Sequence, residues 1–136
     1  MSDFEDVRKR VEAAFADRQK LSDPVHRAAV VQALHGLDRG ELRVAEKQGG
    51  EWKVNAWLME AVNLFFAISG METTDFGPFQ TRDKIPLKKD LEKAGVRLVP
   101  GGVARFGSFL EQGAVLMPGF VNIGARVGAG SMVDTW

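Results

Sequence analysis

The chain contains no cysteine and only two histidines among its 136 residues. Without cysteine, disulfide bonds, thiolate catalysis and cysteine-ligated zinc are all excluded. His26 and His35 lie in or beside a predicted helix, and His35 has no carboxylate or histidine at metal-ligand spacing. We therefore predict that the chain holds no metal ion.

An excess of one charge is also missing, since 18 lysines and arginines balance 18 aspartates and glutamates. Non-specific binding to nucleic acid depends on cations that neutralise phosphates, so we predict no nucleic-acid partner. The apolar runs are only a few residues long, far short of the roughly 20 that a membrane helix needs. The charged segment 1–10 lacks the apolar core of a signal peptide. These absences favour a soluble, cytoplasmic protein that binds no membrane.

The first hundred residues have the patterns of a mixed helix and strand domain. Apolar residues recur at helical spacing in three segments, which predict helices from about Phe4, Pro24 and Ala56. Asp23 before a proline is a start signal for the second helix, and Gly40 is placed to end it. We expect Asn55 to cap the third helix, which extends to about residue 68. Two strands are predicted at 42–47 and 51–54, with a turn at 49–50.

The segment 69–99 is rich in glycine and proline, which break long elements. We predict a loop over 69–83, a short strand at 84–87, a short helix at 88–94 and a strand at 96–99. The residues that follow have a different, repeating pattern.

From residue 103 the chain repeats with a period of six. The first place of each hexad is apolar: Val103, Phe109, Val115, Val121, Val127 and Val133. The fifth place is small: Gly107, Gly113, Gly119, Ala125 and Ser131. This period is typical of a hexapeptide β-helix, in which three hexads form one triangular coil. The alternative is a pair of ordinary β-hairpins rich in valine and glycine.

The hexad register predicts which side chains enter the core. Residues at the first place, such as Val121, should point inward, and those at the fifth place should form tight corners. Second-place residues and Arg126 should point outward, so that Arg126→Asp is expected to be nearly neutral. The register runs from 103 to 136 without a gap, and all of these predicted orientations follow from the period of six.

The chain stops at Trp136, four residues into a hexad, and fewer than two coils are too few for a stable solenoid. We therefore expect an N-terminal fragment of a longer protein. Residues 1–100 are predicted to form an α+β domain, and residues 101–136 the truncated start of a β-helix. We expect residues 103–136 to be poorly ordered or aggregation-prone in the fragment alone, and the fragment to be inactive.

Several motifs resemble those of the tetrahydrodipicolinate N-succinyltransferase family, within the hexapeptide-repeat acyltransferases. The matching segments span nearly the whole chain in order: Gly40-Glu-Leu-Arg-Val-Ala-Glu-Lys-Gln-Gly-Gly-Glu-Trp52, Trp57-Leu58, Ala61 to Phe66, Asp83-Lys-Ile-Pro-Leu-Lys88, Gly95-Val-Arg-Leu-Val-Pro100, Val115-Leu-Met-Pro118, Val121-Asn-Ile-Gly-Ala125 and Met132-Val-Asp-Thr-Trp136. The first of these segments is long enough to be specific.

The resemblance implies a left-handed parallel β-helix and a homotrimeric enzyme of diaminopimelate and lysine biosynthesis. Such an enzyme moves the succinyl group of succinyl-CoA to the amino group of ring-opened tetrahydrodipicolinate. The products are N-succinyl-2-amino-6-oxopimelate and free coenzyme A. Succinyl-CoA is a co-substrate, no prosthetic group is implied, and the coenzyme A site is expected in later coils.

Two residues are assigned to the chemistry by this resemblance. Arg97 corresponds to the ligand of a substrate carboxylate, which an arginine holds bidentately. Asp134 corresponds to the residue that contacts the substrate and orients the amine, from which a carboxylate could take a proton. The structural alternatives are a solvated cation for Arg97 and a turn-capping carboxylate for Asp134.

Two other classes of function stay open at this point. One is a different hexapeptide acyltransferase, acting on serine or on a nucleotide sugar. The other is a non-catalytic β-helix module or a protein like the γ-carbonic anhydrases. The last of these needs three zinc-binding histidines, and residues 103–136 contain none.

Overall fold

A computed structural model describes residues 3–136. Its helices are α1 (Asp3–Ala16), α2 (Pro24–Asp38) and α3 (Ala56–Ile68), and a 3₁₀ helix covers Arg18–Ser22. Two antiparallel hairpins pair β1 (Ala45–Gln48) with β2 (Glu51–Val54) and β3 (Glu72–Phe76) with β4 (Phe79–Asp83). Seven two-residue strands follow: β5 (Arg97–Leu98), β6 (Val103–Ala104), β7 (Phe109–Leu110), β8 (Val115–Leu116), β9 (Phe120–Val121), β10 (Arg126–Val127) and β11 (Met132–Val133).

The three helices pack on one another, and the predicted signals for α2 are confirmed. Asp23 accepts a hydrogen bond from the amide of Val25 at 2.9 Å, and Pro24 opens the helix. Gly40 follows the helix with φ 75°, a left-handed conformation that glycine adopts without strain. The amide of Gly40 donates to the carbonyl of Leu37 at 3.0 Å, so the helix ends where the glycine predicts.

Asn55 occupies the position before α3, but its side chain makes no cap hydrogen bond there. Its amide nitrogen instead donates to the carbonyl of Arg43 at 2.8 Å and to Glu46 at 3.0 Å. The prediction of a capping side chain was therefore wrong. The asparagine ties the start of α3 to the segment that leads into β1.

The core of the helical part also includes residues from beyond residue 80. Ile85 and Ile123 are buried among the helices, and Phe106 packs against them. The helical residues of this core are Val7, Val11, Ala14, Ala29, Val30, Ala33, Leu34, Leu37, Trp57, Leu58, Ala61, Val62 and Leu64. The helices are thus held against one side of the repeat region by apolar contact.

The hairpin β3–β4 occupies the segment that we predicted as a loop, so that prediction was wrong. Gly77 has φ 59° and Pro78 follows it, between the paired residues Phe76 and Phe79. A glycine with positive φ at the first central position is favoured in tight two-residue hairpins. The Gly-Pro pair therefore turns the chain back on itself instead of ending the regular structure.

The predictions of a short strand at 84–87 and of a short helix at 88–94 were also wrong. Only Leu87 forms a β-bridge, with Arg105, and a turn covers 91–95. The amide of Lys88 donates to the carbonyl of Ala104 at 2.9 Å instead of joining a helix. The backbone of this segment forms hydrogen bonds with the repeat region. Local helix or strand propensity cannot indicate a partner that lies so far along the chain.

The repeat region forms three parallel sheets instead of hairpins. The strand orders are β5–β8–β11, β6–β9 and β7–β10. Leu98 pairs with Leu116, and Leu116 pairs in turn with Val133, so each coil stacks on the coil before it. Parallel pairing between successive coils excludes the hairpin alternative and fits the beginning of a parallel β-helix.

The gap-free hexad register was wrong in its first half. The inward residue of each strand is its second one: Leu98, Ala104, Leu110, Leu116, Val121, Val127 and Val133. Val103, Phe109 and Val115 are only half-buried and face outward. The register shifts between Leu116 and Val121, because the side containing Pro118 is one residue shorter than the others.

The corners follow the corrected register. Gly107, Gly113, Gly124 and Gly130 have positive φ, whereas Ala125 and Ser131 do not occupy corners of this kind. Both residues of several strands are apolar, so the sequence pattern alone could not tell which one points inward. Pairing between coils decides it.

Arg126 faces outward, yet it is not a tolerant position. Its Nε and Nη2 lie 2.8 and 2.7 Å from Glu111 Oε1, and its Nη1 donates to the carbonyl of Gly40 at 3.2 Å. The guanidinium also lies 4.7 Å from the centre of the Phe109 ring. These contacts instead predict that Arg126→Asp destabilises the protein.

No helix within residues 3–136 has the length and apolar character that crossing a membrane requires.

Candidate functional site

Arg97 is the first residue of β5, on the outer face of the three-stranded sheet. Its neighbours Val96 and Leu98 both pack into the repeat core, so the arginine points away from that core. The residue is exposed, and its side chain makes no ion pair or hydrogen bond within residues 3–136. The guanidinium is therefore available to a carboxylate from outside.

Asp134 directly follows β11, at the other edge of the same sheet. Val133 packs inward, and Asp134 is exposed. Its Oδ1 accepts a hydrogen bond from the amide of Thr135 at 2.8 Å. That contact is local, between neighbouring residues of the chain.

The strand β8 lies between these two residues. Arg97 pairs with Val115, and Val115 pairs with Met132, two residues before Asp134. Two strand spacings amount to roughly 9.6 Å and two residues along a strand to roughly 6.6 Å. The structure thus places the two predicted site residues on one sheet face, about 12 Å apart between backbones by this geometry.

The surface between the cation and the carboxylate is apolar. Val115 and Met117 project from β8 and the residue after it, and both are half-buried. This outward placement differs from the sequence prediction, which assigned Val115 to the core. Successive side chains of a strand point to opposite faces, so the outward placement of residues 115 and 117 could have been predicted from an inward Leu116 between them.

A second charged cluster lies where α2, the segment before β1 and the repeat region meet. The hydrogen bond from Arg126 holds the pKa of Glu111 below its ordinary value, and partial burial opposes that shift. Arg43 adds a further positive charge beside this pair. Residues 43, 111 and 126 are too far apart in sequence for motif analysis to have grouped them.

A cleft of about 570 Å³ lies between the hairpin β3–β4 and the repeat region. Arg105 lines it and pairs with Asp83 at 2.8 Å, while the rings of Phe66 and Phe120 lie 5.7 and 5.4 Å from its guanidinium. Neither Arg97 nor Asp134 lines this cleft. Within residues 3–136 no three histidines, cysteines or carboxylates are grouped as a metal site would require.

Comparison with known proteins gives a consistent result. The family described as tetrahydrodipicolinate N-succinyltransferase N-terminal matches residues 6–68. The 2,3,4,5-tetrahydropyridine-2,6-dicarboxylate N-succinyltransferase of Methylorubrum extorquens (strain PA1) is 46% identical over 142 residues, covering 96% of this chain and 51% of the relative. The enzyme of the same name from Idiomarina loihiensis is 41% identical over 143 residues, covering 98% of this chain and 52% of the relative.

The relative of the same name from Acinetobacter baylyi is 47% identical over 116 residues, covering 81% of this chain and 42% of the relative. The chain therefore spans about half the length of the curated relatives it matches. The similarity to these relatives extends well beyond residues 6–68, over nearly the whole chain. By its N-terminal domain and by this similarity along nearly its whole length, the chain belongs to the tetrahydrodipicolinate N-succinyltransferase family.

Proposed function

We propose that the complete protein containing this chain transfers the succinyl group of succinyl-CoA to the amine of ring-opened tetrahydrodipicolinate. The observation that carries the proposal is the similarity of 96% of the chain to an N-succinyltransferase at 46% identity. The outward placement of Arg97 and Asp134 on one sheet supports it. A dicarboxylate with an amine calls for a cation that faces a carboxylate and for a carboxylate that faces the amine, and this sheet face supplies one of each.

In this proposal Arg97 binds a carboxylate of the substrate, and Asp134 binds and orients the amine. Val115 and Met117 contact the methylene chain between the two groups. The amine is mostly protonated at neutral pH, and Asp134 accepts the proton that it must lose. The amine nitrogen then attacks the thioester carbonyl, a C–N bond forms, the C–S bond breaks, and the second proton that the nitrogen loses goes to the coenzyme A sulfur.

We propose further that the parallel coils wind as a left-handed β-helix, and that the complete enzyme is a homotrimer. The stacking of β5, β8 and β11 in one sheet, with two further sheets beside it, supports the triangular coil. Succinyl-CoA is proposed as co-substrate, with no prosthetic group. These substrates, an amino-acid precursor and a coenzyme A thioester, imply a cytoplasmic enzyme.

The test is an assay of the complete gene product for thiol release from succinyl-CoA. Release that depends on tetrahydrodipicolinate, with the succinylated product seen by mass spectrometry, supports the proposal. Release with serine or with a nucleotide sugar instead would assign another acyltransfer reaction. Hydration of CO₂ without any acyl transfer would assign the carbonic-anhydrase alternative.

A further inference from the structure

A second cleft, of about 300 Å³, lies between the β1–β2 hairpin and the strand pair β7–β10. Its apolar lining includes Leu42, Val44 and Trp52, and two cations, Arg43 and Arg126, also line it. This volume is at the small end of the range for ligand pockets. The cleft shares no residue with the sheet face that carries the proposed transfer site.

One of the two cations is already neutralised within the chain. Arg126 contacts Glu111 Oε1 through two nitrogens and donates to the carbonyl of Gly40. The other carboxylate oxygen of Glu111 accepts from the amide of Ala129 at 3.2 Å. Both oxygens of Glu111 are thus engaged, and its charge is matched to that of Arg126.

Arg43 has no such ion-pair partner within residues 3–136. Its Nε is buried and has no hydrogen-bond partner within residues 3–136. A buried donor without an acceptor is costly, most of all on a charged group, and native proteins rarely leave one unpaired. The two terminal nitrogens of Arg43 also make no hydrogen bond or ion pair within residues 3–136, and they are not buried, so an acceptor that enters the mostly apolar cleft can reach them.

We propose that this cleft binds a small molecule that carries one carboxylate on a short apolar stem. The guanidinium of Arg43 donates from its two terminal nitrogens to the two carboxylate oxygens, a fork geometry that arginine favours. The stem packs against Leu42 and the indole of Trp52. Trp52 is 63% exposed, so its ring is accessible from the mouth of the cleft.

The experiment measures binding of butyrate to the complete gene product by saturation-transfer NMR, at constant ionic strength. Butyramide, which has the same stem without the charge, is the ligand control. We expect saturable binding of butyrate alone, weakened at least about tenfold by Arg43→Gln, as expected for loss of a hydrogen bond to a charged group. Arg39→Gln removes the same charge outside the cleft and should leave the affinity unchanged. Arg97→Gln should also leave it unchanged, which separates this site from the proposed transfer site.

Absence of saturable binding, equal binding of butyramide, or unchanged affinity in Arg43→Gln would each overturn the proposal. Thermal unfolding establishes whether that variant folds. If it does not, Trp52→Ala decides the question, because the exposed indole can be removed without opening the core. Unchanged butyrate affinity in Trp52→Ala would then refute the site, and weakened affinity would support it.

Discussion

Lys88 Nζ lies 2.8 Å from Asp38 Oδ1, although the two residues are fifty positions apart in the chain. The ammonium also donates to the carbonyls of Asp38 and Ser108, at 2.9 and 2.7 Å. Asp38 Oδ1 accepts in addition from the amide of Gly107 at 2.9 Å. This network joins the end of α2 to a corner of the repeat region, and a cation at a helix C-terminus is favourable.

Replacing Lys88 by methionine should cost about 3–5 kcal/mol of unfolding free energy, because Asp38 would lose its partner while partly buried. The Lys88 side chain is only 7% exposed, so water cannot replace the ammonium without rearrangement. Urea unfolding of the complete gene product measures the loss. The exposed neighbour Lys89 is the control, and Lys89→Met should change stability by less than about 0.5 kcal/mol. Equal losses would contradict the network.

The corrected register predicts different costs at adjacent positions. Leu116 is fully buried, and Leu116→Ala should cost about 2–5 kcal/mol. Val115 is half-buried on the outer face, and Val115→Ala should cost about 1 kcal/mol or less. Denaturant unfolding of both variants decides between the registers. A larger loss at Val115 would restore the gap-free hexad pattern.

Arg126→Asp should destabilise the protein by about 1–3 kcal/mol, the range for a lost charged hydrogen bond. The change removes both contacts to Glu111 and places a second negative charge near it. Arg27, exposed on α2, supplies a control with the same change of charge. Comparable melting temperatures for Arg126→Asp and Arg27→Asp would show that the Arg126 contacts contribute nothing.

The pair of Glu111 and Arg126 should also make stability depend on pH. The folded-state pKa of Glu111 lies below its ordinary value of 4.5, because Arg126 donates a hydrogen bond to the charged form. Its contribution is therefore fully present above about pH 4.5 and is lost as the pH falls through the folded-state pKa. The difference in melting temperature between the wild type and Glu111→Gln should shrink in acid. A difference that grows on acidification would mean that the pKa is raised.

The kinetic roles proposed for Asp134 and Arg97 are separable. Asparagine keeps the size of aspartate and an acceptor oxygen but is a far weaker base, so Asp134→Asn should lower kcat by about 10²-fold or more. Arg97→Lys keeps the charge and loses the fork, so KM for the dicarboxylate should rise more than kcat falls. Steady-state kinetics of the complete gene product, with each substrate varied in turn, measures both. Near-normal kcat in Asp134→Asn would make Asp134 a structural residue.

Features that depend on neighbouring residues were predicted from the sequence. The apolar spacing, Asp23 and Gly40 located α2, because caps and helical faces are built from residues a few positions apart. The hexad period likewise predicted parallel coils. The positions of Arg97 and Asp134 on an outward face followed from the alternation of side chains along a strand.

The tertiary structure alone decided the features that depend on distant partners. The shorter side between Leu116 and Val121 became visible only through the pairing of one coil with the next. Arg126 is fixed by Gly40, 86 residues earlier, and Lys88 by Asp38. Local sequence specifies torsion angles and exposed faces, whereas these contacts form only after the helices pack against the coils, so no spacing in the sequence could have predicted them.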